Sequence, residues 1–199
     1  MLEDNLKEEV AKHEEKYDAV GGIKGRGLNM ALYSGKPFYP LDPSPDEVDI
    51  QDIAHSLSMT TRYGGHAKSF YTVAQHSVIL SNIVSKENAF VALMHDATEA
   101  YIGDLIRPIK YMLPKFIELE ENIWRAVALR YNLPIVIPDE VKFHDTKICF
   151  TERNCLMNHT GETDWGHEVE PHDFIIEPWS QEKSYKMFIK RFEELYSEK

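Results

Sequence analysis

The sequence predicts an all-α domain with one small β-hairpin near its N-terminal end. Apolar residues recur at the 3.6-residue period of an α-helix over most of the chain after residue 50. Prolines interrupt this pattern where helices should begin or end, at Pro108, Pro114, Pro134 and Pro138. Two short apolar runs, MALY and PFY, flank Ser34-Gly35 and predict the hairpin within residues 29–39.

The elements follow in order along the chain. Residues 3–19 have helical spacing and stop at Gly21-Gly22, so residues 1–22 are expected to form a helical arm and residues 23–199 the domain. Either Asp46 or Asp49 is expected to cap a helix whose apolar face includes Ile50, Ile53, Ala54 and Leu57. Further helices are predicted at about 73–84, 88–102, 115–131, 139–158 and 181–196. Residues 159–179 lack a sustained period and are expected to form a long loop.

Composition limits the function classes. A chain of 199 residues that is 43% hydrophobic can bury a core without disulfides. The net charge of -11 disfavours nucleic acid polymers and acidic membranes as partners. Cys149 and Cys155 lie six apart on one predicted helix, point to different faces and are expected to be reduced. The N-terminal residues lack the features of a secretion signal and no apolar run is long enough for a membrane span, so an intracellular, cytoplasmic protein is expected.

Ionisable side chains occupy positions where the helical period predicts burial. His76 interrupts the apolar stripe of one helix, His95, Asp96 and Glu99 cluster on the next, and Asp145 lies on the stripe of a third. An ionised carboxylate buried without a partner is destabilising by several kcal/mol. A divalent cation bound by His76, His95, Asp96 and Asp145 would compensate the charge, and imidazole with carboxylate suits Zn, Mn, Fe, Co or Ni. The alternative, simpler for any one of these residues alone, is a set of buried His–Asp hydrogen bonds.

The dipeptide His-Asp occurs three times, in three different contexts. His95-Asp96 follows the apolar run AFVALM and lies within one turn of Glu99. In the second pair, His144 lies off the stripe that contains Asp145 and is expected to be peripheral. His172-Asp173 follows a proline in the predicted loop and is expected to be a solvated or loop-capping pair.

The order of these residues resembles the signature of the HD-domain metal-dependent phosphohydrolases, namely a His, a later His-Asp pair and a distant Asp. The segment HDATEAYIGDLIRPIKY, residues 95–111, resembles the small 5'-deoxyribonucleotidase branch. Residues 53–77, IAHSLSMTTRYGGHAKSFYTVAQHS, resemble related bacteriophage proteins that include dATP triphosphohydrolases. The resemblance covers about residues 30–196 and implies an HD-domain helical bundle. The interval of 19 residues from His76 to His95 is shorter than in the bacterial nucleotidases, which predicts a trimmed first helical hairpin.

The resemblance also implies roles for individual residues. His76, His95, Asp96 and Asp145 would hold one divalent transition metal. Glu99 and Asp104 match the carboxylates near the attacking water, and Arg62 and Lys110 match the phosphate-contacting cations. The chemistry is consistent with these roles, because phosphoryl transfer requires an activated water, a proton donor and positive charge at the phosphate.

Other residues near the motifs are candidates with an ordinary alternative. His66 and Lys68 would contact phosphate or base, or would simply lie at the surface. Tyr63 and Phe70 would stack on a nucleobase or pack against the domain. Glu152 shares the stripe of Asp145 and would either support the metal site or pair with Arg153 or another arginine.

The leading expectation is therefore metal-dependent hydrolysis of a deoxynucleoside triphosphate, with dATP as a candidate, to deoxynucleoside and triphosphate. His66, Lys68, Arg107 and Lys110 are available for the outer phosphates, and Mg²⁺ could be an additional phosphate-bound ion. The main alternative is a 5'-deoxyribonucleoside monophosphatase, and an alternative of another class is a non-catalytic nucleotide or metal sensor. Glycine-rich phosphate loops and the extra motifs of cyclic-nucleotide and alarmone hydrolases are not found. A small-molecule nucleotide, a homo-oligomer and a phage or prophage origin are expected.

Overall fold

The computed structural model of the protein describes residues 26–158 and 169–197. Its helices are α1 (Ile50–Met59), α2 (Val73–Ile83), α3 (Ala89–Met94), α4 (Glu99–Ile102), α5 (Arg107–Lys110), α6 (Pro114–Tyr131), α7 (Asp139–Leu156) and α8 (Gln181–Tyr196). Short 3-10 helices span Pro45–Glu47, Arg62–Gly65 and Lys86–Asn88. Strands β1 (Met30–Ala31) and β2 (Pro37–Phe38) pair antiparallel, with Met30 opposite Phe38. The predicted all-α fold with a minor hairpin is confirmed, whereas the predicted arm over residues 1–22 lies outside the described residues.

Side-chain caps fix where several helices begin. The Asp49 carboxylate accepts a hydrogen bond of 2.9 Å from the Gln51 amide at the start of α1, so Asp49, rather than Asp46, is the cap. Thr72 caps α2, and its hydroxyl accepts a hydrogen bond from the amide of Gln75. These are the residue types that satisfy the free amides of a first helical turn.

The core forms where four helices pack together. Helix α2 contacts α1, α3 and α8, and α8 also contacts α1 and α3. Side chains with no exposed surface fill the centre, among them Ile53, Leu80, Leu93 and Phe188. Helix α7 packs against α2 on another side, and this contact brings polar residues of both helices together.

The region around residues 95–98 differs from the sequence prediction of one continuous helix over residues 88–102. Helix α3 ends at Met94, and α4 begins at Glu99. From this turn into α4, the amides of Ala97, Glu99, Ala100 and Tyr101 each bond to the carbonyl three residues earlier, which is the tighter 3-10 pattern. The turn contains His95 and Asp96.

The longest of the described helices, α6 and α7, have 18 residues each. Charged side chains recur along both helices. No helix in the described ranges combines the length and the apolar character needed to cross a lipid bilayer. Helix α7 contains both cysteines, which are free thiols as the sequence predicts.

Glu140, in the first turn of α7, holds the segment that precedes α3. Its carboxylate accepts hydrogen bonds from the Ser85 amide (2.9 Å), the Ser85 hydroxyl (2.6 Å) and the Asn88 side-chain amide. These hydrogen bonds lower the pKa of Glu140 to about 2. Because this pKa lies below its ordinary value of 4.5, the carboxylate contributes stability that is present above pH 4.5 and is lost as the pH falls toward 2.

We expect Glu140→Gln to lower the thermal unfolding temperature at neutral pH and to weaken the loss of stability between pH 4.5 and about 2. Circular dichroism melts across this pH range measure both effects. Glu121→Gln makes the same charge change at an exposed position on α6 and should leave both properties unchanged. An identical acid dependence for wild type and Glu140→Gln would show that this carboxylate does not contribute as described.

Candidate metal centre

Three of the predicted metal ligands meet between α2, the turn after α3, and α7. One donor atom each from His76, His95 and Asp145 lies within 4.8 Å of the other two. The His76 Nε2 lies 3.2 Å from Asp145 Oδ1 and 3.4 Å from His95 Nε2. The His95 Nε2 lies 3.8 Å from the same Asp145 oxygen. We call these three residues the metal cluster.

Asp96, the fourth predicted ligand, adjoins the metal cluster without belonging to the set within 4.8 Å. Its Oδ1 lies 3.1 Å from His95 Nε2, and its Oδ2 lies 3.6 Å from His76 Nε2. The same Oδ2 is 3.5 Å from a terminal nitrogen of Arg62. Asp96 is therefore shared between the metal cluster and the neighbouring guanidinium.

Both imidazoles are oriented by a hydrogen bond from the ring nitrogen that faces away from the metal cluster. The Nδ1 of His95 is 2.8 Å from the carbonyl oxygen of Ala92. The Nδ1 of His76 is 2.6 Å from the carboxylate of Glu152. A carbonyl and a carboxylate can only accept, so a ring whose Nε2 bound a metal would hold its proton on Nδ1 and keep this hydrogen bond. This is the tautomer that a metal ligand requires.

The charges in the metal cluster shift the pKa of its members. Burial lowers the pKa of His95, but the carboxylates of Asp96 and Asp145 outweigh this effect and raise it well above its usual value. Burial would raise the pKa of Asp145, but its hydrogen bonds to His76 and His95 hold it well below the usual range. The carboxylates are thus ionised and compensated by protons on the imidazoles. A divalent cation can replace those protons, and two imidazole nitrogens with carboxylate oxygens form a donor set that fits a transition metal.

Glu99 and Asp104, the predicted catalytic carboxylates, lie in the same electrostatic environment. Glu99 is 9% exposed, and its Oε2 is buried without a hydrogen-bond partner among the described residues. Burial, followed by the charges of Asp96 and Asp104, raises the pKa of Glu99 well above its usual value. Burial also raises the pKa of Asp104. A buried carboxyl group beside the metal cluster, with one oxygen free of hydrogen bonds from the described residues, is suited to hold a proton or to form a hydrogen bond with a bound ligand.

The predicted phosphate-contacting cations differ in how they are placed. Arg62 is buried, 3.2 Å from Glu152 and 3.5 Å from Asp96, and therefore lies at the metal cluster. Lys110 forms an ion pair of 2.5 Å with Glu120 on α6. Arg107, half-exposed on α5, lies 3.3 Å from the second oxygen of Asp145.

The 3-10 helix Arg62–Gly65 contains backbone in the left-handed region. Tyr63 and Gly64 both have a φ of 58°, which is unusual for a tyrosine and costs about 1 kcal/mol or more. The Tyr63 hydroxyl donates to Glu152, so this tyrosine is tied to the residues beneath the metal cluster. His66, Lys68 and Phe70 are exposed, and among the described residues no side-chain hydrogen bond joins His66 or Lys68 to the metal cluster.

In the third histidine-aspartate pair, His172 contacts α7. His172 is half-buried and stacks on His144, with ring centroids 5.4 Å apart and the nearest ring nitrogens separated by 3.5 Å. His172 is therefore partly shielded from solvent, whereas Asp173 is exposed. His144 is outside the metal cluster, as predicted.

Glu152 was a candidate with two alternatives, and the structure shows both kinds of contact in the same side chain. Its carboxylate touches the metal-cluster residue His76 and also pairs with Arg62. In the sequence, its position seven residues after Asp145 places Glu152 on the same helix face and indicates that it lies near the metal cluster. The hydroxyl of Tyr71, 2.8 Å from the same carboxylate, had no such signal because an aromatic residue ahead of a helix is ordinarily core.

A cleft of about 340 Å³ lies elsewhere, between the hairpin, α1 and α4. Two of its polar side chains are hydrogen-bonded: Asp52 accepts two hydrogen bonds from Ser34, and the Ser56 hydroxyl donates to the carbonyl of Ala100. The buried Tyr101 hydroxyl has no hydrogen-bond partner among the described residues. None of the predicted site residues lines this cleft. The chemistry is therefore concentrated at the metal cluster.

The fold and the metal cluster together define a helical domain with a candidate metal centre in its interior. The chain is 41% identical over 168 residues to "Uncharacterized protein YfdR" of Escherichia coli K12, covering 83% of this chain and 94% of that protein. It belongs to the same family as YfdR. It is also 36% identical over 121 residues to "Uncharacterized protein RCAP_rcc00048" of Rhodobacter capsulatus, covering 56% of this chain and 62% of that protein. No family model matches the chain.

We expect the purified protein to bind a single Co²⁺ or Mn²⁺ at the metal cluster. His95→Gln and Asp145→Asn should each weaken this binding by more than about 100-fold, because each removes a donor atom from a small set. Isothermal titration calorimetry on the metal-free protein measures the affinity. His144→Gln, which changes a histidine next to Asp145 but outside the metal cluster, is the matched control and should bind as the wild type does. Equal affinities for all four proteins would place the ion elsewhere.

Proposed function

We propose that the protein is a divalent-metal-dependent hydrolase of deoxynucleotide phosphates. The observation that supports this most directly is the convergence of His76, His95 and Asp145, with Asp96 beside them, in the order in which the HD-domain signature places its ligands. A helical bundle could satisfy one buried histidine with one carboxylate. Two imidazoles with both Nε2 atoms turned toward two carboxylates are better explained by a shared cation.

In this proposal the four residues hold the ion, which when bound acidifies a water molecule and polarises a phosphoryl oxygen. Arg62 lies next to Asp96 and offers positive charge to a phosphate at the metal cluster. Positive charge fixed in advance is what phosphoryl transfer requires most from a protein.

Glu99 and Asp104 provide proton transfer. The attacking water loses a proton as its oxygen bonds to phosphorus, and the leaving 5'-oxygen gains a proton as the bond between that oxygen and phosphorus breaks. A carboxyl group with a raised pKa can hold the proton needed by the leaving oxygen near neutral pH, and Glu99 meets this condition because it is buried. A carboxylate such as Asp104 would orient the water and accept the proton that it loses.

A triphosphate substrate is our first candidate, because residues 53–77 resemble phage-type triphosphohydrolases. A specific observation favours a monophosphate as the second candidate. Two of the cations available for outer phosphates are already ion-paired, Lys110 with Glu120 and Arg107 with Asp145. Both reactions break the same bond to the 5'-oxygen, so they differ only in whether triphosphate or phosphate is released.

Product analysis tests the proposal and separates the two candidates. The metal-loaded protein is incubated with panels of deoxynucleoside monophosphates, deoxynucleoside triphosphates and ribonucleoside triphosphates, and the products are separated by chromatography. Deoxynucleoside with triphosphate supports the first candidate, and deoxynucleoside with phosphate supports the second. Absence of any product with Co²⁺, Mn²⁺, Mg²⁺ and Zn²⁺ would contradict the proposed hydrolase and favour a sensor.

We expect Glu99→Gln to retain the metal and to lose about 10²- to 10⁴-fold in kcat, because it removes a proton donor without removing a ligand. Asp96→Ala should lose both the metal and turnover. Metal analysis of the dialysed proteins together with steady-state rates distinguishes the two effects. Glu87→Gln, exposed in the 3-10 helix Lys86–Asn88, is the control of equal charge change. Full activity in Asp96→Ala would rule out the site.

A further inference from the structure

Glu152 is the most fully satisfied charged side chain near the metal cluster. It has no exposed surface. Its carboxylate receives hydrogen bonds from His76 Nδ1 at 2.6 Å, Tyr71 Oη at 2.8 Å and Arg62 Nε at 3.2 Å, and from the Tyr63 hydroxyl. These four donors come from three separate stretches of the chain, whereas Glu152 itself lies on α7.

The four donors surround this carboxylate and shield it from solvent. The Arg62 guanidinium, 3.2 Å away, supplies the positive charge that a buried carboxylate needs. With no exposed atom, Glu152 can accept hydrogen bonds and orient their donors, but it has no access to a substrate.

Two of the four donors, His76 and Arg62, have further polar side-chain atoms that face other residues. His76 uses Nδ1 for Glu152, which leaves Nε2 facing Asp145 and His95. Arg62 uses Nε for Glu152, which leaves a terminal nitrogen near Asp96 and another near the Cys149 sulfur. One carboxylate thus orients both a metal-cluster imidazole and the guanidinium beside it.

We propose that Glu152 is a positioning residue that couples metal binding to phosphate binding, by holding His76 for the metal and Arg62 for the phosphate. The part that concerns His76 depends only on the metal cluster. The part that concerns Arg62 rests on the proposed function.

A purely structural role for Glu152 makes a different prediction, and the chain offers a direct comparison. Glu140 lies on the same helix and also accepts hydrogen bonds from another part of the chain, in its case from Ser85 and Asn88. Its described contacts lie with the segment before α3, away from the metal cluster. If Glu152 acted only on stability, Glu152→Gln and Glu140→Gln would affect metal affinity in the same way.

The test compares Glu152→Gln, Glu140→Gln and Tyr71→Phe with the wild type, each as the full chain. Glutamine has nearly the size of glutamate, but its neutral amide cannot balance Arg62 and stabilises the His76 proton less. Co²⁺ affinity is measured by titration calorimetry, and the geometry of the bound ion is followed by its visible absorption spectrum. We expect Glu152→Gln to bind Co²⁺ about 10- to 100-fold more weakly with an altered spectrum, and Glu140→Gln to match the wild type in both.

Tyr71→Phe serves as a second variant in case Glu152→Gln does not fold. It removes one hydrogen-bond donor to Glu152 and leaves all metal-cluster residues unchanged. It should weaken Co²⁺ binding by about threefold or more. A folded Glu152→Gln with wild-type affinity and spectrum overturns the proposal. If Glu152→Gln does not fold, wild-type Co²⁺ binding by Tyr71→Phe overturns it instead.

The coupling to Arg62 is tested with inorganic phosphate and protein saturated with Co²⁺. Glu152→Gln should bind phosphate about tenfold more weakly than wild type, because the Arg62 side chain is no longer held beside Asp96. Equal phosphate affinities would refute the coupling. Failure of the wild type itself to bind phosphate would refute both the proposed function and the coupling, whereas the Co²⁺ titrations would still decide the link between Glu152 and His76.

Discussion

The hydrogen bond between His76 and Glu152, 2.6 Å long and fully buried, joins α2 to α7 at the level of the metal cluster. Both residues lie on helix faces that would otherwise be apolar, so their charges must be satisfied inside the domain. The packing of α2 on α7 does this by placing Asp145 and Glu152 on either side of one imidazole ring. Because Glu152 faces Nδ1 and Asp145 faces Nε2, the ring is held in one orientation, and a metal at Nε2 would leave its proton on Nδ1.

The turn after α3 supplies the other half of the site. Its tightened backbone places His95 and Asp96 next to His76, and α4 then begins at Glu99, the buried carboxyl group with the unused oxygen. A few residues of compact backbone therefore combine a ligand pair with a candidate proton donor. Together with Arg62, they give the metal cluster the types of group that phosphate ester hydrolysis requires.

The sequence predicts the helices well because their apolar period is strong and several begin at a capping residue such as Asp49 or Thr72. It also predicts the metal cluster, because histidine and aspartate on an apolar stripe contradict the period and need an explanation. The break at residues 95–98 was missed because it contains no glycine or proline, and the change from α-helical to 3-10 bonding depends on packing. The pairing of Lys110 with Glu120 and of Tyr71 with Glu152 was missed because it depends on how α5, α6 and α7 are placed in space.

In the proposed metal centre, His76, His95 and Asp145 hold one divalent ion. X-ray absorption spectroscopy at the metal edge of the Co²⁺- or Zn²⁺-loaded protein tests it most directly, because the imidazole ring gives a characteristic scattering pattern from outer-shell atoms. We predict two imidazole nitrogens and at least one carboxylate oxygen around the ion, with one imidazole lost in His95→Gln. A coordination shell of oxygen alone, or a spectrum unchanged in His95→Gln, would contradict the account.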